Sequence, residues 1–256
     1  MKRLEGKTAV ITGATSGIGR ACALRLHDDG ARVVVVGRRR ERLDVLAAEL
    51  GERCHVEALD VRERGALESA LGALASRAPA YAEVDILINS AGLALGLDPM
   101  MSASVDDCEA MIDTNCKGLV YATRALLPGM VARGRGHVVH IGSVAATYPY
   151  PASHVYGATK AFVHQLSQGM KADLAGTGVR VTCVEPGMVE TEFSVVRFEG
   201  DAARAGKVYE GMTPLSADDI ADVVHFAITR PAHVNLNVIE LMPVAQGFGP
   251  FVVKRA

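Results

Sequence analysis

Tyr156 and Lys160 stand four residues apart in Tyr156-Gly157-Ala158-Thr159-Lys160, within a stretch of helical period, so one helix face presents both side chains. An ammonium beside a phenol favours the phenolate and pulls the tyrosine below its usual pKa of about 10. Tyr156 therefore reads as a general acid/base that operates near neutral pH. Ser143 follows the strand-like run 137–141 at the same carboxyl edge. A hydroxyl there can hold a substrate oxygen against the phenol.

A second group of residues suits a dinucleotide. Thr12-Gly13-Ala14-Thr15-Ser16-Gly17-Ile18-Gly19 follows the first apolar run and opens the first helical stretch. Glycines there permit a tight turn and close approach of backbone to a pyrophosphate, whose charge sits among free N–H groups at the helix start. Gly13, Thr15, Ser16, Gly17, Ile18 and Gly19 are thus candidate cofactor contacts. The run 33–36 ends in Gly37-Arg38-Arg39-Arg40, with no acid to hold ribose hydroxyls and guanidiniums able to fork onto a 2′-phosphate. Arg38 or Arg39 is expected to contact NADP, while Arg40 and Arg42 also read as a solvated helix start. Asp60 and Val61 are placed to reach an adenine, and Asn89, Ala91 and Gly92 to pass beneath the cofactor; a plain turn is the competing reading for each.

The elements that must position these groups alternate along the chain. Strand-length apolar runs lie at 8–11, 33–36, 55–58, 86–88, 137–141, 179–184 and 238–241. Most are continuous and β-branched, as in strands covered on both faces. Helical patterns fall between them at 17–28, 40–50, 64–77, 115–133, 155–175 and 217–229. Such alternation predicts one doubly wound α/β domain over 1–256, with a parallel sheet and helices on both faces. The segment 186–214 is long for a connection and reads as a binding loop or lid.

Composition narrows the function. The chain has 256 residues, is 49% hydrophobic and 22% charged, and carries a net charge of −2. It has ample apolar material for a core and no electrostatic reason to bind nucleic acid or an anionic membrane. The 5 cysteines, Cys22, Cys54, Cys108, Cys116 and Cys183, are scattered without a C-x-x-C, which predicts reduced thiols in the cytoplasm. No apolar signal-like segment and no span of about 18 apolar residues occurs. The 8 histidines show no ligand spacing, so no metal is expected. His154 and His164 flank Tyr156 off the face it shares with Lys160 and are assigned to the surface or a pocket rim. The absence of G-x-S-x-G removes the α/β-hydrolase reading.

Taken together, Gly-x-x-x-Gly-x-Gly, Asn-x-Ala-Gly, Ser143, Tyr156-x-x-x-Lys160 and Pro186-Gly187 resemble the short-chain dehydrogenase/reductase superfamily over nearly the full chain. The resemblance implies a seven-stranded Rossmann sheet, metal-free hydride transfer at a nicotinamide, and a tetrad of Asn115, Ser143, Tyr156 and Lys160. In that scheme Tyr156 exchanges the proton, Ser143 orients the substrate oxygen, Lys160 holds the nicotinamide ribose and tunes the phenol, and Asn115 positions a relay water. Tyr156, Lys160, Pro186, Gly187, Val189 and Thr191 join the implied cofactor contacts. Ser90 stands where the superfamily usually has a second asparagine. The resemblance also implies a homotetramer packed through helices.

A narrower resemblance is carried by Gly92-Leu93-Ala94-Leu95-Gly96, Met111-Ile112-Asp113-Thr114-Asn115, Thr191-Glu192-Phe193-Ser194 and Arg197-Phe198. These are similar to NADP-dependent 3-hydroxy acid dehydrogenases, a group with serine 3-dehydrogenases, L-allo-threonine dehydrogenases and malonic semialdehyde reductases, and to the related sulfoacetaldehyde reductases. Both branches handle small anions. Arg197 and Tyr150 offer a guanidinium fork and a phenol for a carboxylate or sulfonate, although a solvated lid residue and a packing aromatic compete with that assignment. A non-catalytic NADP sensor and a reductase of carrier-bound 3-oxoacyl chains are the rivals from further away.

Overall fold

The computed structural model describes residues 2–249; residue 1 and residues 250–256 of the expected domain lie outside the described residues. In chain order the elements are β1 (Thr8–Thr12), α1 (Gly17–Asp28), β2 (Arg32–Gly37), α2 (Arg40–Leu50), β3 (Cys54–Ala58), α3 (Arg64–Gly72), α4 (Leu74–Arg77) and β4 (Ile86–Asn89). Then come α5 (Val105–Ile112), a π-helical segment (Asp113–Gly118), α6 (Leu119–Ala132), β5 (Gly136–Ile141), α7 (His154–Asp173) and β6 (Val179–Pro186). The chain continues through α8 (Glu192–Arg197), α9 (Ala202–Lys207), α10 (Ala217–Ile228) and β7 (Val238–Leu241).

All seven strands lie parallel in the order β3-β2-β1-β4-β5-β6-β7. Alternate side chains of each strand feed opposite cores. Ala9, Ile11, Val33 and Val35 join Cys22, Leu26, Leu43, Leu46, Ile220 and Val224 from α1, α2 and α10. Val10, Val34 and Val36 instead meet Leu67, Leu71, Leu74, Leu126, Met130 and Met170 from α3, α4, α6 and α7. Period-2 geometry with apolar residues at every position is what a sheet buried on both faces requires.

The strand order reverses direction between β1 and β4, which opens a crevice beyond their carboxyl ends. Thr12 closes its floor: its hydroxyl accepts the backbone N–H groups of Ser90 and Ala91, both at 3.2 Å.

Three expected elements differ. The pattern over 64–77 divides at Ala73 into α3 and α4. The helix expected over 115–133 is preceded by α5 and enters through the π segment, whose widened turn contains Asn115. Within 186–214 the chain is ordered into α8 and α9, tied down where the Tyr209 hydroxyl donates to the Val189 carbonyl at 2.8 Å and pairs with the Ser194 hydroxyl at 2.6 Å. No helix among the described residues is long and apolar enough to cross a membrane.

Candidate functional site

The crevice is a cavity of about 780 Å3. Gly13, Thr15, Ser16, Gly17 and Ile18 line it, as do Arg38, Arg39, Asp60, Val61, Ala91 and Gly92. Its other end takes in Ser143, Tyr150, Tyr156, Lys160, Pro186, Gly187, Val189, Thr191 and Arg197. Three expected site residues stand behind this wall. The Asn89 side chain is buried in the core and donates to the Thr123 hydroxyl at 2.9 Å; Ser90 takes its place at the surface. Gly19 supports the loop from within, because a Cβ there would collide with the Gly13 carbonyl. Asn115 spends both ends of its amide on Leu93 backbone, at 2.9 Å each, and on the Thr159 hydroxyl at 3.0 Å.

Glycine is required in the phosphate loop by geometry. Gly13 has φ +70°, and a Cβ on it would fall 2.7 Å from the Ala91 nitrogen. Gly17, at φ +51°, lets Thr191 approach from the opposite wall. Thr191 in turn caps α8 by accepting the Phe193 N–H at 3.2 Å. The loop and the start of α8 therefore close over one another.

The two expected arginines behave differently. Arg39 folds back over the loop, donating to Thr15 Oγ1 at 3.1 and 2.8 Å and to Ser16 Oγ at 2.7 Å. Arg38 is extended toward solvent, and its nearest carboxylate is that of Asp60, 3.7 Å away. Asp60 itself is engaged by Arg62 at 2.7 Å, and Val61 packs beneath on Gly118.

At the other end α7 carries Tyr156 and Lys160 on one face, with the amine 5.8 Å from the phenol ring centre. Lys160 Nζ donates to the Ile141 carbonyl at 2.9 Å. A Cβ on Gly92 would stand 3.3 Å from Asn115 Oδ1 and 3.6 Å from Lys160 Nζ, so those groups converge on one small volume. Burial dominates the electrostatics of this pair. Burial pushes the Tyr156 phenol above its ordinary range, and only a hydrogen bond with Ser143 and the charge of Arg197 pull it back. The lysine is shifted the opposite way: burial draws its amine down to about 8, opposed by Cys183, Cys116 and Glu185. Burial, the largest cause, thus favours the protonated phenol of Tyr156 in the ligand-free protein.

Arg197 closes this end. Its Nη1 donates to the Tyr150 hydroxyl at 2.9 Å, and its guanidinium carbon lies 5.8 Å from the Tyr156 ring centre. Phe193 adds an apolar wall, its ring 5.7 Å from that of Tyr156. Sequence reasoning did not single out Phe193, Glu192, Tyr209 or Gln246. The first two lay within a quoted motif; Gln246, which accepts the Met188 N–H at 2.8 Å, carries no local signal. His164, assigned to the surface or a pocket rim, is partly exposed, and its Nδ1 lies 2.6 Å from the buried Glu185 carboxylate.

The family model described as short chain dehydrogenase matches residues 7–201. The chain is 52% identical to the NADP-dependent 3-hydroxy acid dehydrogenase of Salmonella typhimurium, over 96% of this chain and 99% of that one. It is 49% identical to sulfoacetaldehyde reductase 2 of Chromohalobacter salexigens, over 96% and 98% of the respective chains. Among solved structures, the closed form of a serine dehydrogenase complexed with NADP+ superposes with a TM-score of 0.94 at 50% identity, covering 97% of this chain and all of the other.

Proposed function

The chain belongs to the short-chain dehydrogenase family, and on that premise we propose that it is an NADP(H)-dependent oxidoreductase that interconverts a small anionic 3-hydroxy acid with its semialdehyde or keto acid. The observation that carries the substrate class is Arg197, a guanidinium held by Tyr150 and facing the Tyr156 ring. A carboxylate on that fork would leave a carbon two or three bonds away beside the phenol.

The lining fits the cofactor: a glycine loop that no Cβ could share, hydroxyls at Thr15 and Ser16, and the Arg38 guanidinium with no carboxylate nearer than 3.7 Å. Gly13, Thr15, Ser16, Gly17 and Ile18 would hold the pyrophosphate, Arg38 and Arg39 the 2′-phosphate, and Asp60 and Val61 the adenine. Ala91, Gly92, Pro186, Gly187, Val189 and Thr191 would line the nicotinamide half. When bound, the nicotinamide supplies or accepts the hydride. Ser143 then orients the substrate oxygen by hydrogen bonding, and Tyr156 delivers its proton to that oxygen during reduction or recovers it during oxidation. Lys160 holds the ribose and returns the proton. Asn115 acts behind it by fixing the Leu93 backbone and Thr159.

The remaining assignments belong to the same reading. Residues 186–214 form the substrate-binding lid of a single catalytic domain, the thiols suit a cytoplasmic setting, and the exposed Phe162 of α7 and Val131 of α6 support packing into a homotetramer. The test is nicotinamide absorbance with malonic semialdehyde, sulfoacetaldehyde and a neutral aldehyde of equal size. Carboxylate turnover that falls at least tenfold in Arg197→Met, together with a loss of about 10² to 10⁴ in Tyr156→Phe, is expected. Preferential turnover of the sulfonate would move the substrate to the sulfoacetaldehyde branch. Carboxylate turnover by Arg197→Met equal to that of wild type would refute the anion clamp, and a fully active Tyr156→Phe would refute the acid/base assignment.

A further inference from the structure

Glu192 is the first residue of α8, directly after its Thr191 cap, and it lines the cavity at the end where Arg38 and Arg39 stand. Its Oε2 accepts from Arg39 Nη1 at 2.9 Å, while Arg42 Nη1 reaches Oε1 and Oε2 at 2.6 and 2.7 Å. Arg39 thereby has its guanidinium shared among Thr15, Ser16 and this carboxylate. Arg42 does not line the cavity. Hydrogen bonds from Arg42, and then Arg39, hold the Glu192 carboxyl below its ordinary range despite some burial, so it is an anion at working pH. The far end of the same short helix is Arg197, beside Tyr150 and Tyr156.

We propose that Glu192 is a specificity-determining residue that occupies, on Arg39, the place of the cofactor's 2′-phosphate, and that its second attachment, to Arg42, straps α8 down over the cofactor. This rests on the NADP reading above. Two anions cannot share one Nη1 without repulsion in a half-buried site, so a 2′-phosphate takes Arg39 together with the Arg38 fork, which Asp60 holds only at 3.7 Å, and Glu192 retreats onto Arg42. The retreat keeps α8 anchored, because Arg42 alone already engages both carboxylate oxygens. Each of these ion pairs is partly exposed and individually weak; the three charges act as a network whose balance is set by which anion Arg39 holds. The recognition of one phosphate is in this way connected, through a six-residue helix, to the placement of Arg197 at the substrate end.

The experiment titrates the ligand-free protein with NADPH and with NADH at low ionic strength, following nicotinamide fluorescence, in wild type, Glu192→Gln and Arg42→Gln. In parallel, amide hydrogen exchange is read over 194–200, where the Phe198 and Gly200 N–H groups are bonded to Ser194 and Val195 carbonyls. Glu192→Gln is expected to tighten NADPH binding at least threefold and to leave NADH unchanged within error. Arg42→Gln is expected to weaken NADPH binding, because the carboxylate then falls wholly to Arg39. Both variants are expected to speed exchange over 194–200. Opposite signs for the two variants with NADPH cannot arise from general loosening, and if one variant does not fold, tightening in Glu192→Gln or weakening in Arg42→Gln against wild type, each with faster exchange over 194–200, still decides. Unchanged or weakened NADPH binding in Glu192→Gln, tightened binding in Arg42→Gln, or unaltered exchange in both would overturn the proposal. Because neither readout uses a substrate, failure of the 3-hydroxy acid assignment leaves this result standing, and the reverse.

Discussion

Replacing Lys160 by methionine is expected to stabilise the ligand-free protein while removing its turnover. The amine is buried and its pKa falls from 10.5 to about 8. At about 1.4 kcal/mol per pH unit, holding that charge in the fold costs roughly 3 kcal/mol at pH 7. Methionine has similar length and no charge, but leaves the Ile141 carbonyl without its donor, a loss of about 1–2 kcal/mol. A net gain of about 1–2 kcal/mol follows. The sign with pH is definite. A base with a depressed folded pKa destabilises the fold while both states are protonated, below about pH 8, and the penalty fades as pH rises through 8 toward 10.5. Between pH 7 and pH 9 wild type therefore regains about 1.3 kcal/mol relative to K160M. The buried thiols Cys22 and Cys183, both raised to about 12 by desolvation, oppose this trend as pH rises. Cys22 does so equally in both proteins, and only Cys183, which feels the Lys160 charge, adds to the difference between them. Urea unfolding at pH 7 and pH 9 for both proteins measures it. A K160M protein less stable than wild type at pH 7, or a gap between the two that does not narrow by pH 9, would refute the claim that charge burial is the dominant cost at this position.

Acid should unfold the protein partly through β5. Burial draws His137 and His140 down to about 3 from 6.5, so their neutral forms are fully compatible with folding above pH 6.5 and stability falls below it, by about 1.4 kcal/mol per pH unit for each; His140→Gln is expected to reduce the slope of urea midpoint against pH between 6 and 4.5, and an unchanged slope would refute this. Gly19→Ala drives a methyl into the Gly13 carbonyl, with an expected cost of about 1–3 kcal/mol and NADPH binding at least tenfold weaker; normal nucleotide affinity by fluorescence would contradict the loop geometry. Arg180 donates to the Ala227, Ile228, Arg230 and Val234 carbonyls, closing the exit of α10 far from the cavity. Arg180→Met is expected to cost about 2–3 kcal/mol, lowering Tm by roughly 5–10 °C while NADPH binding holds; a Tm within 2 °C of wild type would show those carbonyls to be satisfied by water.

How far the sequence carried depends on whether a residue's neighbours are local. The β-branched runs 33–36 and 137–141 could be assigned because a strand buried on both faces needs apolar side chains at every position, and both cores of the sheet draw on them. The glycine loop was legible from its spacing and its place between β1 and α1, although the walls that forbid a Cβ on Gly13 (Ala91 and Ser90) lie far along the chain. Arg39 was legible as a cation near a phosphate site, yet nothing local showed that its guanidinium would bend onto Thr15 and Ser16, or that Glu192, 153 residues away, would meet it. Gln246 was invisible for the same cause: its contact with Met188 spans 58 residues and follows no periodic pattern. The desolvation of Tyr156 was not legible, because spacing reports which groups are near each other and not how dry the space between them is. Four residues along a helix suggested a lysine acting on a phenol, whereas desolvation acts first on both.

The departure at Asn115 has a different origin. A regular α-helix through 105–132 would satisfy the apolar pattern of Met111, Leu119, Ala122 and Leu126, all buried, and periodicity alone gives no reason to interrupt it. The π segment inserts a widened turn at Asp113–Gly118, which costs hydrogen-bond geometry and is rare outside functional positions. Its return is local and specific: the extra rotation lets Asn115 place Oδ1 on the Leu93 N–H and Nδ2 on the Leu93 carbonyl, pinning the strand-like loop that follows β4. That same loop brings Gly92 against Lys160, so the bulge, the asparagine and the lysine set one distance among them. An irregularity that the hydrophobic pattern does not ask for, maintained where two walls of a cavity meet, is the mark of a helix shaped by its site more than by its core.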